Sequence, residues 1–366
     1  MNRKKTLSAS TPPANTPPDD RLTAVRWAVA AAMLLLLRFP ALSLEGARKG
    51  LLLWYGTVLP TLLPFLIFTG LLISLKAVPL LTAPFSPLLK KGLGLSDAGA
   101  FTLLTGMLCG YPMGAKTCSD FLDRKAFSLA EGRTLFAAAN FPSPMFLAGY
   151  MMAKAAEGAG PGFFSVPLWK LAAAVYLPAV PIFFLAAKVY HFGASQPTSG
   201  FNAKRSPEPI HRPVLVSSPA SVNSSASPSP SSSPGSPIPE EGPAPTIDEI
   251  LSSSAETMVK IGMYLMLFSI LAEFLTALPI PGRLLPVILV AAAEMTTGMD
   301  LAARTLQGLP ALLIIVGAGA FGGFSGLFQV NSVRKNAGLS IRHYLLWKTV
   351  HMLGACLIFA LLWGLH

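Results

Sequence analysis

"GMLCGYPMGAKT", residues 106–117, decides how the rest of the chain is read. It puts glycines at 106, 110 and 114, a proline at 112 and a lysine at 116 into an apolar stretch that begins at Ala98. Proline has no amide hydrogen and its ring collides with the preceding helical turn. Gly110, Pro112 and Gly114 together therefore predict a helix that breaks near 110–114. In hydrocarbon, such a break is tolerated only where it is buried in protein or lines a wet cavity. Lys116 adds a full charge beside it, either snorkelling toward an interface or facing an anionic or carbonyl-rich solute. The phosphate-loop pattern fails here. Its spacing from Gly110 to Lys116 is right, but Ala115 stands where the second glycine is required and no strand precedes it.

The surroundings are those of a membrane protein. Of 366 residues, 52% are hydrophobic and only 12% charged, with a mean hydropathy of +0.56; soluble domains carry about 25% charged residues. The apolar residues gather into runs at 23–37, 51–75, 98–118, 133–153, 165–190, 256–278, 284–302, 309–328 and 344–365. About 20 such residues cross a bilayer as a helix. The expected fold is all-α, a polytopic membrane protein of about eight transmembrane helices. The run at 23–37 is read as a retained first span rather than a cleaved signal, and 79–95, short and proline-rich, as interfacial or re-entrant. Pro60 and Pro64 should kink the run at 51–75. "SLAE", 128–131, reads as a capping box opening the next helix.

The net charge of +11 lies between the runs, without aromatic interleaving. That points to lipid headgroups as partner and not to nucleic acid. Three cysteines form no CxxC pair, and five histidines are scattered. No HExxH, GxSxG or paired-carboxylate pattern appears, so no catalytic residue, metal or cofactor is expected.

Four segments follow from composition: a polar, Pro-rich tail at 1–21, a first membrane half at 22–190, a Ser/Pro-rich linker at 191–250, and a second membrane half at 251–366. Tail and linker hold too little to bury and read as disordered. The halves look duplicated. Gly110 and Gly114 match Gly322 and Gly326, since 322 less 110 and 326 less 114 both give 212; at that offset Gly106 falls on Ala318 and Ser128 on Ser340. Small residues four apart let helices approach closely in lipid. Inverted repeats of broken helices are a transporter device. Under this overlay a crossing 284–302 puts the loops 119–132 and 329–342 on opposite sides and inverts the repeats, a re-entrant one puts them on the same side, and positive-inside counting makes both loops look cytoplasmic without settling it.

Two more runs are interrupted by polar groups. "NFPSP", 140–144, offers the Asn140 amide and Ser143 hydroxyl, suited to a neutral polar solute or to an interhelical hydrogen bond. "EMTTG", 294–298, offers Glu294, and a carboxylate inside a span is a functional hypothesis by default; Thr296 and Thr297 stand beside it. Tyr111 and Lys116 complete the candidate substrate-binding set, with Gln329 and Asn331 weaker.

"LLLWYGTVLPTLLPFLIFTGLLISL", "GMLCGYPMGAKT" with its charged loop, "NFPSP" and "EMTTG" together resemble the family of the sporulation integral membrane protein YlbJ, in the nucleoside-recognition or Gate domain group. That group is similar to parts of concentrative nucleoside transporters and ferrous-iron transporters. The resemblance implies Gate-like halves built of broken helices around a solute path. It also implies a multi-pass protein of the bacterial cell membrane, in the mother cell or forespore, acting during sporulation and spore cortex formation. In nucleoside transporters an Asn-Phe-Ser-Ser stretch contacts substrate and cation. Asn140 to Ser143 is the similar piece here, with Pro142 in place of a serine. The expected activity is movement or binding of a small polar solute, nucleoside-like at its most specific. The competing expectation is a non-transporting scaffold for other sporulation membrane proteins.

Overall fold

The computed structural model describes residues 20–85, 87–160, 166–193, 246–336 and 338–364, and every regular element among them is helical. The tail expected at 1–21 and the linker at 191–250 lie almost wholly outside the described residues. The chain opens with α1 (Asp20–Arg38), turned by 101° at Phe39 into α2 (Pro40–Leu53). A π-helical turn, Trp54–Val58, then leads into α3 (Leu59–Ser74), where Pro60 sits in the first turn and Pro64 lies inside. The prolines thus follow directly on a widened turn, a common site of helix irregularity. α4 (Val78–Thr82) and the 3₁₀ turn that carries it to Phe85 are bent 114° from α3, so they do not continue the span, and a π turn follows over Pro87–Gly92.

Two helix pairs fold back on themselves. α5 (Asp97–Cys109) and α6 (Met113–Asp123) meet at a tip, Gly110–Pro112. A straight helix would separate Gly106 and Gly114 by about 12 Å. Instead, a methyl on Gly106 would lie 3.2 Å from the Cα of Gly114, and one on either would overlap the Ala139 carbonyl oxygen. α13 (Leu284–Ala293) and α14 (Met295–Thr305) reverse at the single residue Glu294, and Gly298 packs onto Ala291 so closely that no side chain fits between. The stretch 284–302 therefore re-enters.

Two further stretches are interrupted. α7 (Leu129–Ala138) ends before the irregular stretch 139–143 and resumes through α8 (Pro144–Phe146), a π turn and α9 (Met152–Ala159). α15 (Leu309–Phe321) passes into α16 (Gly323–Val333) at Gly322, whose φ is +87°. α10 (Leu168–Tyr176) with α11 (Ala179–Val189), α12 (Ile247–Ala277) and α17 (Ile341–Trp363) are the long apolar helices. α12 begins inside the segment read as linker, where Thr246 and Glu249 form a full capping box. In "SLAE" the box is half made: Ser128 accepts the Glu131 amide, but the Glu131 carboxylate binds the Ser96 amide and hydroxyl instead, both at 2.8 Å.

α17 shows how the sequence sorts lipid from core. Leu346, Leu353, Leu357 and Leu361, spaced by seven and four, are each about 60% exposed, while Tyr344, Lys348, His351, Ala355 and Phe359 on the other face are buried. An apolar stripe left open over this length belongs in hydrocarbon.

Pairings across the fold define its two ends. At one end Ser119 Oγ accepts the amides of Lys335 and Asn336 at 2.9 and 3.0 Å, and Arg133 donates to the Gly338 carbonyl. At the other, the Gly308 amide donates to the Gly158 carbonyl, and Lys170 to that of Leu362. The loops 119–132 and 329–342 thus share one side. The α5–α6 hairpin opens toward that side and α13–α14 toward the opposite one. α2–α3 and α12 run antiparallel, with Gly46 on Ile270, Gly50 on Met266 and Gly70 on Ile250.

Two expectations need restating. Among the described residues four helices are long and apolar enough to cross a membrane, or up to six if each bent pair counts as one span, so the expected count of about eight is not confirmed. Hairpins contribute apolar residues without crossing, so counting runs overstates the spans. The 212-residue overlay also sets the α5–α6 hairpin on the bent span α15–α16. By element order, hairpin α5–α6 corresponds to hairpin α13–α14, and the interrupted α7–α9 to α15–α16.

Candidate functional site

The four interruptions converge, and Tyr111 joins them. It stands at the tip of α5–α6, where Gly110 adopts φ +83°. Its amide donates to the Phe141 carbonyl at 2.9 Å, in the break after α7. Its hydroxyl reaches the Met295 sulfur at the tip of α13–α14. Its ring covers Gly322, where an added methyl would sit 3.4 Å away, and then Gly326. Glycine is favoured at 322 by the left-handed backbone, φ +87°.

Each break satisfies its own backbone in part. Asn140 Nδ2 caps α7 by donating to the Phe136 carbonyl at 3.0 Å. The Asn140 carbonyl accepts from Lys348 Nζ at 3.0 Å, and that ammonium also lies 5.4 Å from the centre of the Tyr111 ring. The Pro142 carbonyl accepts from Tyr176 at 2.9 Å, and Ser143 Oγ caps α8 on the Phe146 amide. Tyr150 donates to the Thr296 carbonyl at 2.8 Å, linking α9's entry turn to the second hairpin.

Glu294 is the centre. It is wholly buried, and its carboxylate caps α14, where the helix dipole favours negative charge. Oε2 accepts from the Thr297 amide at 2.7 Å, the Thr297 hydroxyl at 2.9 Å and the Thr296 hydroxyl. Oε1 has no partner among the described residues. Leaving a charged acceptor unmade is costly, more than the 1–3 kcal/mol or so typical of a neutral group. Glu294 is among the residues lining a cavity of about 400 Å³, a size typical of small-molecule sites. Its walls are Tyr111, Ser143, Glu294 and Thr296 from the breaks, Ser325 and Gln329 from α16, and apolar side chains of α3, α8 and α12. Gln329 donates to Ser325 at 3.0 Å. The arrangement offers one strong acceptor, several hydroxyls and an apolar bed.

Of the sequence candidates, Tyr111, Ser143, Glu294 and Thr296 line this cavity, and Thr297 holds Glu294 in place. Asn140 is buried behind the wall, its Oδ1 without a partner among the described residues. Lys116 is elsewhere: it pairs with Asp120 at 2.8 Å and lines a second cavity of about 310 Å³. Gly106 and Gly114 serve close packing, Gly326 lies in ordinary contact range of the Tyr111 ring, and Gly110, Pro112 and Gly322 form the breaks. Tyr150, Ser325 and Lys348 escaped the sequence reading. For Lys348 the signal was present, a lysine within the apolar run 344–365.

Residues 56–155 match the family model described as nucleoside recognition (Gate). That segment holds the α5–α6 hairpin and the break after α7. Over 343 residues the chain is 24% identical to the sporulation integral membrane protein YlbJ of Bacillus subtilis, covering 88% of this chain and 78% of the relative. No solved structure matches the chain. The resemblance read from its motifs is borne out: this is an integral membrane protein with a Gate segment and a sporulation-protein relative.

Proposed function

We propose that the protein binds a small polar solute in the Glu294 cavity and passes it across the membrane. The observation that carries this is the unpartnered Glu294 Oε1, buried where four helix breaks meet around a cavity that Glu294 helps to line. A hydroxyl or N–H of the solute supplies the missing donor. Tyr111, Ser143 and Thr296 set its orientation, and the apolar bed takes a ring. A nucleoside-like solute suits that combination, and the nucleoside-recognition match over 56–155 supports it. The YlbJ likeness supports a role in sporulation and cortex formation, in a mother-cell or forespore membrane. The opposed hairpins support two inverted Gate-like halves, in the manner of transporters whose broken helices meet around a central site.

Uptake by proteoliposomes tests this. Radiolabelled nucleosides and small polar solutes are offered to the native protein and to Glu294→Gln and Ser143→Ala. Uptake of one solute class, reduced at least tenfold by Glu294→Gln, is expected. No uptake by the native protein, with partner proteins still captured from sporulating membranes, would replace transport by scaffolding.

A further inference from the structure

We infer that the second cavity is a polar solute station at the mouth of the same route, divided from the Glu294 cavity by an apolar barrier of Leu66, Met113, Met258 and Ile261. This rests on the solute-passage reading above. The second cavity is lined by Thr69 on α3, Lys116, Thr117 and Asp120 on α6, and Ser253 and Ser254 on α12. Arg124 and Lys335 border it, at the end where the loops 119–132 and 329–342 meet. Thr117 is 1% exposed, and its hydroxyl has no partner among the described residues. A buried hydroxyl without a partner beside a polar hollow calls for an explanation, and a ligand or water drawn into the hollow supplies one.

The two cavities share their walls. α3 gives Leu62 to the first and Leu66 to the second; α12 gives Leu265 and Ser254; the α5–α6 hairpin gives Cys109 and Met113; α16 gives Gln329, and Lys335 follows it. Ser254 and Leu265 are eleven residues apart, about 16 Å along the helix. Between them, Leu62, Leu66, Cys109, Met113, Met258, Ile261 and Leu265 form one buried apolar cluster. Met113, Met258 and Ile261 are at most 1% exposed. A cavity with polar groups in its wall thus stands on each side of one buried apolar cluster, a plug whose unbranched methionines re-pack easily. A solute with a polar or charged group is held first by the hydroxyls and the Lys116–Asp120 pair. It then passes the plug to reach Glu294.

Cys109 is a native reporter, because it lines the Glu294 cavity directly behind the plug. In full-length protein with Cys118→Ala and Cys356→Ala, a charged methanethiosulfonate reagent is applied in vesicles to the face carrying Arg124 and Lys335. Ser254→Cys should react, while Cys109 stays inert from that face. Met258→Ala, or Met113→Ala if the first does not fold, should raise the Cys109 rate at least tenfold from that face. The inference is overturned if Ser254→Cys is inert, if Cys109 already reacts as fast as Ser254→Cys, or if neither folded plug variant changes it. The readout needs no transport. Failure of uptake with this labelling pattern intact would therefore sink the solute reading and leave the route standing.

Discussion

Glu294 does two opposed jobs with one carboxylate. Oε2 accepts from three donors and caps the start of α14, while Oε1 is buried without a partner among the described residues. Glu294→Gln keeps an acceptor for the cap but removes the charge. A hydrogen bond to a charged group contributes about 1.5–3 kcal/mol, and each 1.4 kcal/mol is about tenfold. Solute affinity by calorimetry should therefore fall at least tenfold while the melting temperature moves little. Unchanged affinity would remove Glu294 from the site. Lys348 makes the complementary prediction. Its ammonium is the donor seen on the freed Asn140 carbonyl, and Lys348→Met leaves that carbonyl buried and bare. A loss of about 1–3 kcal/mol is expected in thermal or denaturant unfolding in detergent. No loss would mean that the break does not depend on the lysine.

At the scale of elements, the positions of the breaks were legible and their angles were not. Pro112 between glycines, Pro142 and Pro144 around Ser143, and Glu294 in an apolar run each announce an interruption in residue chemistry alone. Whether the chain then bends or reverses depends on what packs in the crook. Gly106 and Gly114 read as one ridge on one helix, yet they face each other across a hairpin with the Ala139 carbonyl between them. Gly322 and Gly326 share that spacing but lie under the Tyr111 ring. Equal spacing served different jobs, which is why the 212-residue overlay misled. Gly106→Ala should cost about 1–3 kcal/mol, because overpacking beside a carbonyl has no side chain to yield. Gly56→Ala, where an added methyl meets nothing within 4 Å, should be neutral or slightly stabilising. Unfolding of the two variants side by side checks the hairpin; equal stability would argue against it.

For the whole molecule, membrane character and helical class follow from composition, whereas the number of crossings does not, since half-helices count as runs without spanning. The sidedness of the loops was undecidable from charge and is settled by contact. A Ser119→Cys, Asn336→Cys pair should form a disulfide under mild oxidation, because the Ser119 hydroxyl and Asn336 amide are 3.0 Å apart. Absence of that cross-link in folded protein would separate the loops. The central claim is that broken helices enclose a water-filled cavity within the bilayer. It is tested most directly by cysteines at Ser143 and Thr296 in a protein otherwise free of cysteine, labelled in intact membranes by a water-soluble thiol reagent, with lipid-exposed Leu357→Cys as control. The account predicts that both break positions react and Leu357→Cys does not; inert cysteines at both breaks would contradict it.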